Sequence, residues 1–484
     1  MTAYPDLFMR AFYWFRTMCV VAMVALAAGG CSHKKKTPMS LLDAGNEDDG
    51  GSAESDAGDS GPPDLNPEHD AGQAPPGMPA KGLTGTCAID TNKIFTVVQT
   101  DQALPPPALG VDLINSRFAV PFLGNSDSCL DTVRITTLDG ALAAPPPEEM
   151  LAIDDCAREH APAITGSSSK WLLGVIDNRT PPTGSQQWDL WVATYDPKTQ
   201  KMGTTDQRIT NTMEEETAAV MITRRDGGVV VAWVQTELDG SSSVHARALD
   251  KTGKPTAVEH VVDSWHDTKD PVMNPQLVYG SLVLTTIGAD GVGLGFWRHD
   301  ETAGVKSEIV FNVLDAAAKP VGTPWVLTTN AGPAGSIDVD CNEEGGGIVY
   351  TQAEGTSRQI WMQLINDMGK AAQLNASIGT VPPVRILQQP YLGVDVAVTK
   401  LRSQYVVVYR ALPGVGVTKP AIKLMFLGRD AGKLGSSDVS YTSELGGKPQ
   451  LESSLDGRVV ITWSEVDSKG KNAQRVARLP CVGG

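Results

Sequence analysis

The stretch GGVVVAWVQTELDGSSSVHARALDKTGKP, Gly227 to Pro255, decides how the chain is read. A Val-rich apolar run ends near Trp233, a polar segment closing on Asp239-Gly240 follows, and a second alternating run leads to Asp250 and a Gly-containing turn. Short β-branched runs bounded by Asp, Gly and Ser are the signals of strands and hairpins. Two further stretches repeat the plan, GGIVYTQAEGTSRQIWMQLINDMGK at Gly346–Lys370 and GRVVITWSEVDSKGKNAQRVARL at Gly457–Leu479.

Working outward, the closing Asp recurs as Asp139, Asp196, Asp250, Asp315, Asp367 and Asp430, at intervals of 52 to 65 residues. The aromatic residue of the preceding strand recurs as Phe122, Trp233, Trp297, Tyr350, Tyr409 and Trp463. A further strand precedes several units, seen in HAPAIT, NPQLVY and KPQLES. Three to four strands per unit, in about seven units, match the blades of a β-propeller. No segment sustains a 3.6-residue period, which excludes helical solenoids. Tandem β-sandwiches are the alternative, although each sandwich needs about 100 residues. The last unit lacks an outermost strand, and KIFTVVQT at Lys93–Thr100 is a strand without a unit of its own. Pairing the two closes a ring and removes two open sheet edges.

The start of the chain has a different texture. Arg10 and Arg16 precede an apolar run at Thr17–Ala28, too short to span a bilayer and suited to a signal peptide. Ala28, Gly29 and Gly30 lead directly into Cys31. This resembles the lipobox of bacterial lipoprotein precursors, although Ala28 stands where that family usually has Leu. The resemblance implies cleavage before Cys31, lipidation of its thiol and a membrane anchor. Ser32 in place of Asp implies the outer membrane as the address. Residues 41–82 are rich in Asp, Gly, Pro and Ala and nearly devoid of large apolar side chains, the composition of a flexible acidic tether. The organisation expected is a signal peptide at 1–30, a tether at 31–86 and a propeller at 87–484.

The 484 residues carry 40 basic and 56 acidic side chains, a net charge of −16. A nucleic-acid binder needs the opposite balance to neutralise phosphates. Outside the cytoplasm disulfides are permitted. Ring closure brings Cys87 and Cys481 together as one pair, Cys129 and Cys156 flank the first blade boundary as a second, and Cys341 is left as a buried thiol.

Inner-strand segments GVDL, SIDV and GVDV align Asp112, Asp338 and Asp395 at one position, with Gln276 and Gln450 in the PQL units. Inner strands surround a propeller axis, so these side chains form a polar, mainly acidic ring there, favouring cationic or basic ligands. DVDCNEEGGG at Asp338–Gly347 mimics the opening of a calcium loop but lacks its later Gly and Glu, so it reads as strand, turn and strand, and no cofactor is expected. SSLDGRVVITW at Ser453–Trp463 and RRDGGVVVAW at Arg224–Trp233 resemble the Asp-box turns of sialidase-type propellers, in which Asp caps a hairpin. The match covers two or three units, and no arginine triad or Tyr nucleophile is assignable. The function expected is an envelope-anchored, monomeric binding or scaffold module for a protein or polysaccharide. The alternative is an extracellular glycan hydrolase or lyase using carboxylates at the channel mouth. No catalytic or metal-binding residue is assigned.

Overall fold

The structure, a computed structural model, describes residues 94–100, 107–112, 117–124, 132–139, 150–151, 159–167, 170–177, 188–203, 206–237, 241–264, 277–300, 307–332, 335–355, 357–372, 382–391, 395–401, 404–411, 420–441, 448–454, 457–467 and 469–479. All belong to the unit Asn66–Gly484.

The stretch Gly227–Pro255 holds the second and third strands of blade 3. The blade's strands are Glu215–Thr223, Val229–Thr236, Ser242–Leu249 and His260–Ser264, each antiparallel to the next. Val229–Val234 is a continuous apolar run because both of its faces are covered. Val229, Val231 and Trp233 pack toward blade 2, while Val230, Ala232 and Val234 pack toward blade 4. A strand buried on both sides gives up the usual apolar–polar alternation.

The other blades follow the same plan. Counting outward from the axis, blade 1 is Gly110–Asp112, Arg117–Gly124, Thr132–Asp139 and Met150–Leu151. Blade 2 is Glu159–Ser167, Lys170–Asp177, Asp189–Asp196 and Gln207–Arg208, with Lys201–Met202 as an extra short strand. Blade 4 is Leu277–Ile287, Gly291–Asp300, Ser307–Leu314 and Trp325–Thr328. Blade 5 is Ile337–Asn342, Gly345–Glu354, Ser357–Ile365 and Val384–Tyr391. Blade 6 is Val396–Leu401, Gln404–Ala411, Ala421–Leu427 and Lys433–Tyr441.

Blade 7 closes the ring. It is built from Gln450–Ser453, Val459–Val466 and Asn472–Arg478, and its outermost strand is Ile94–Thr100 from the beginning of the propeller. Ile94 lies opposite Ala477 and Thr100 opposite Asn472. Inner strands touch their neighbours all the way round, including blade 7 against blade 1. Each of the seven blade boundaries holds an apolar cluster, and Phe118 and Val120 meet Val460 and Val476 at the closing one. The tandem-sandwich alternative is therefore set aside, since one closed seven-bladed ring accounts for every described sheet. Cys31, Cys87, Cys129, Cys156 and Cys481 lie outside the described residues. Cys341 is a buried free thiol, pushed up to about 12 by its burial and by the neighbouring Asp340.

All six recurring aromatics sit buried in the second strands of their blades. The recurring Asp holds less uniformly. Asp250 and Asp315 each cap the turn after the third strand, their Oδ1 accepting N–H groups two and four residues on. In blade 5 that work is done by Asn366 rather than Asp367. In blade 6 the turn starts at Gly428, and Asp430 accepts from Gly432 instead. The turn between the first two strands of blade 3 has Asp226 Oδ1 accepting from Gly228 N at 3.0 Å. Beside it Arg224 reaches into blade 4, donating to the carbonyls of Asp290 at 3.2 Å and Ala316 at 2.5 Å.

Candidate functional site around the propeller axis

The inner strands of blades 5, 6 and 7 are joined by side chains rather than by a backbone ladder. Ser336, Asp338 and Asp340 alternate along one face, and Val396, Val398 and Lys400 alternate along the strand beside them. Val396 N donates to Ser336 Oγ at 3.1 Å, Val398 N to Asp338 Oδ2 at 2.7 Å, and Lys400 N to Asp340 Oδ2 at 2.7 Å. An inner strand leaves one edge of N–H groups without a strand partner, and these oxygens satisfy it. Thr399 Oγ1 donates to Asp340 at 2.9 Å and lies 2.7 Å from Ser453 Oγ, which carries the network into blade 7. Lys448 Nζ donates to the Ile337 carbonyl at 2.6 Å and stands 3.6 Å from Asp338.

Burial raises both Asp338 and Asp340 from the ordinary aspartate value. The Lys448 charge and the Val398 N–H oppose this at Asp338, and the Lys400 and Thr399 hydrogen bonds oppose it at Asp340. Glu452, on the blade 7 inner strand, is raised well above its ordinary value by burial, with Asp340 and Asp338 adding repulsion. Lys400 is lowered by burial, and its ammonium is satisfied by Asn342 Oδ1 and the Gly345 carbonyl, each at 2.7 Å.

The expected ring members fall as follows. Asp112 ends the blade 1 inner strand and pairs with Arg117, directly opposite it, at 3.0 Å. Asp395 stands just before the blade 6 inner strand and pairs with Arg410. Gln450 opens the blade 7 inner strand opposite Thr462. Gln276 lies outside the described residues. Their equivalence does not hold. Asp112 lies opposite Arg117, five residues before Phe122, and so corresponds to Asn342, which lies opposite Gly345, five residues before Tyr350. Ile337 lies opposite Tyr350 and Val396 opposite Tyr409, so Asp338 corresponds to Ala397, and Asp395 corresponds to Ser336. Gln450 shares the phase of Asp338. Short inner-strand segments align in either of two phases, and only pairing to the aromatic strand selects one.

Sequence reasoning did not single out Glu452, Lys448, Thr399 or Ser336. The signal was an alternation, polar at every second residue of SIDVDC and PQLES, read as single Asp matches instead. The segment DVDCNEEGGG is a hairpin, with strands meeting at a turn over Glu343–Glu344. Asp338 and Asp340 turn their carboxylates to blade 6, and among the described residues no three His, Cys, Asp or Glu side chains gather as metal ligands. Trp188 packs at the blade 2–3 boundary, Trp325 and Trp361 at the blade 4–5 boundary, and Trp191 stacks under Arg208 at 5.7 Å.

No protein-family model matches the chain, and no curated protein matches it. Several solved structures are similar in fold. An endo-arabinase from Bacteroides thetaiotaomicron is 13% identical, with a TM-score of 0.35, over 61% of this chain and 97% of that one. The family 93 α-L-arabinofuranosidase of Fusarium graminearum is 11% identical, with a TM-score of 0.41, over 67% of this chain and 94% of that one. Trypanosoma rangeli sialidase is 10% identical, with a TM-score of 0.38, over 78% of this chain and 54% of that one. The likeness is one of fold, and the chemistry has to be argued from the residues in hand.

Proposed function

We propose that the chain is an outer-membrane lipoprotein, anchored through Cys31, whose propeller binds an envelope protein or polysaccharide. The observation that carries the reading is the fate of the axial carboxylates. Asp112 and Asp395 are paired with arginines, while Asp338 and Asp340 accept backbone N–H groups of the next blade. The first two are neutralised within their own blades, the second two link blade 5 to blade 6, and groups spent in this way are not free to act as an acid–base pair. The lipobox-like Ala28-Gly29-Gly30-Cys31 and the acidic stretch behind it support a tethered module on the envelope.

The test is cross-linked co-purification of the full-length protein against its Cys31→Ala form. A specific envelope protein or polysaccharide enriched only with the anchored form supports the reading. Equal recovery of the same material from both forms overturns the role of the anchor.

One observation favours a second reading, glycan cleavage. Glu452 has the raised carboxyl that a general acid needs. Release of reducing ends from envelope polysaccharide, lost in Glu452→Gln, selects this reading over the first.

A further inference from the structure

Ser243 and His245 lie two residues apart on the third strand of blade 3 and share one face of the sheet. That face is turned toward blade 2, because Trp233, directly opposite His245, packs in the cluster between the two blades. Ser243 Oγ lies 2.7 Å from His245 Nε2, and His245 Nδ1 lies 2.5 Å from Glu259 Oε1. The carboxylate is only an acceptor, so Nδ1 carries the ring hydrogen, Nε2 accepts, and the Ser243 hydroxyl donates. The indole of Trp233 stacks on the imidazole with ring centroids 5.6 Å apart and fixes its plane. A hydroxyl, an imidazole and a carboxylate in this order and tautomer are the parts of an activated serine nucleophile.

We propose that Ser243, His245 and Glu259 form an acyl-transfer site for carboxylic esters at the boundary of blades 2 and 3. Ser243 Oγ bonds to the ester carbonyl carbon while its proton passes to His245 Nε2. Glu259 stabilises the resulting imidazolium through Nδ1–H. Collapse of the tetrahedral species breaks the bond to the alkoxy oxygen, which leaves as the alcohol with the proton from Nε2. A water deprotonated by the same nitrogen then cleaves the acyl-serine, releasing the acid and restoring the hydroxyl. Trp233 Nε1, on the same face of the sheet, is a buried donor with no hydrogen-bond partner, the kind of group a developing oxyanion takes up. Ser243 and His245 are both buried, one and three residue pairs inside the hairpin that joins Thr236 to Ser242. The site shares no residue with the axial network, and it does not depend on the binding reading.

The test is labelling of the full-length protein with a fluorophosphonate, followed by peptide mapping. Attack by Ser243 Oγ forms an O–P bond and expels fluoride, so the expected result is near-stoichiometric modification at Ser243. Labelling is absent in Ser243→Ala and at least about a hundredfold slower in His245→Gln. A burst of p-nitrophenol from p-nitrophenyl acetate should follow the same pattern. Folded wild-type protein whose Ser243 stays unmodified, or reacts no faster than its other serines, overturns the proposal. The mapping on wild-type protein decides this even where a variant does not fold.

Discussion

The carboxylate of Asp338 accepts the backbone N–H of Val398 at 2.7 Å across the boundary between blades 5 and 6. Two residues on, Asp340 repeats the contact with Lys400. The spacing of two follows from the strand period, which returns every second side chain to the same face. Acidic residues that look like a ligand site in the sequence thus serve as acceptors between blades.

Asp340→Ala should therefore destabilise the ring. It leaves the Lys400 N–H without its acceptor and removes the partner of Thr399, at a cost of about 1–3 kcal/mol for a stranded buried donor. Asp340→Asn keeps an acceptor oxygen and should cost less. Urea unfolding of both variants measures the difference, and equal midpoints for Ala and wild type would remove the interblade role.

Glu216 sets a pH dependence. It is fully buried, its Oε2 has no partner, and desolvation with the nearby Asp189 charge raises it from 4.5 to about 8. Between these values the folded state holds a proton that the unfolded state has lost. Stability contributed by this group is thus complete below the unfolded value and falls as pH rises toward 8, by up to ~1.4 kcal/mol per pH unit. Glu216→Gln is neutral throughout, so its advantage over wild type should grow from pH 5 to pH 8. Unfolding curves at three pH values read this, and a pH-independent difference contradicts it.

Removal of residues 94–100 should open the ring. Deletion strips the outer strand from blade 7, exposing the edge of Asn472–Arg478 and the face of the closing cluster on which Phe95 and Val97 pack. The expected outcome is a lowered melting temperature and concentration-dependent association by size-exclusion chromatography.

Two turn glycines separate backbone strain from packing. Gly470 has φ of +79° with nothing near its missing Cβ, whereas Gly253 has φ of +86° and would place a Cβ 2.8 Å from Val192 Cγ1 of blade 2. Gly470→Ala should cost about 1–2 kcal/mol, the left-handed penalty alone. Gly253→Ala adds an overpacking cost of about 1–3 kcal/mol. Thermal unfolding of the two variants side by side tests the ordering.

Legibility varied with the range of the interactions involved. The blade unit, the aromatic of each second strand and the closing role of Lys93–Thr100 were visible because periodicity and an unpaired strand are local signals. The phase of Asp395 was not, since GVDV and SIDV match letter for letter while their pairing partners differ by one position. Asn366 replaced Asp367 as a turn cap for a similar reason, as either side chain can accept and only its place in the turn decides.

By itself the sequence determined the class of the fold and the number of its repeats. Strand period, turn chemistry and the absence of a helical period act within a few residues. The tertiary structure alone decided what the charged side chains do. Asp338 finds Val398 some sixty residues away, and His245 finds Glu259 across a strand turn. Such contacts depend on how blades stack and which face of a strand turns inward, because a side chain's chemistry is set by the groups that surround it after the chain has closed on itself.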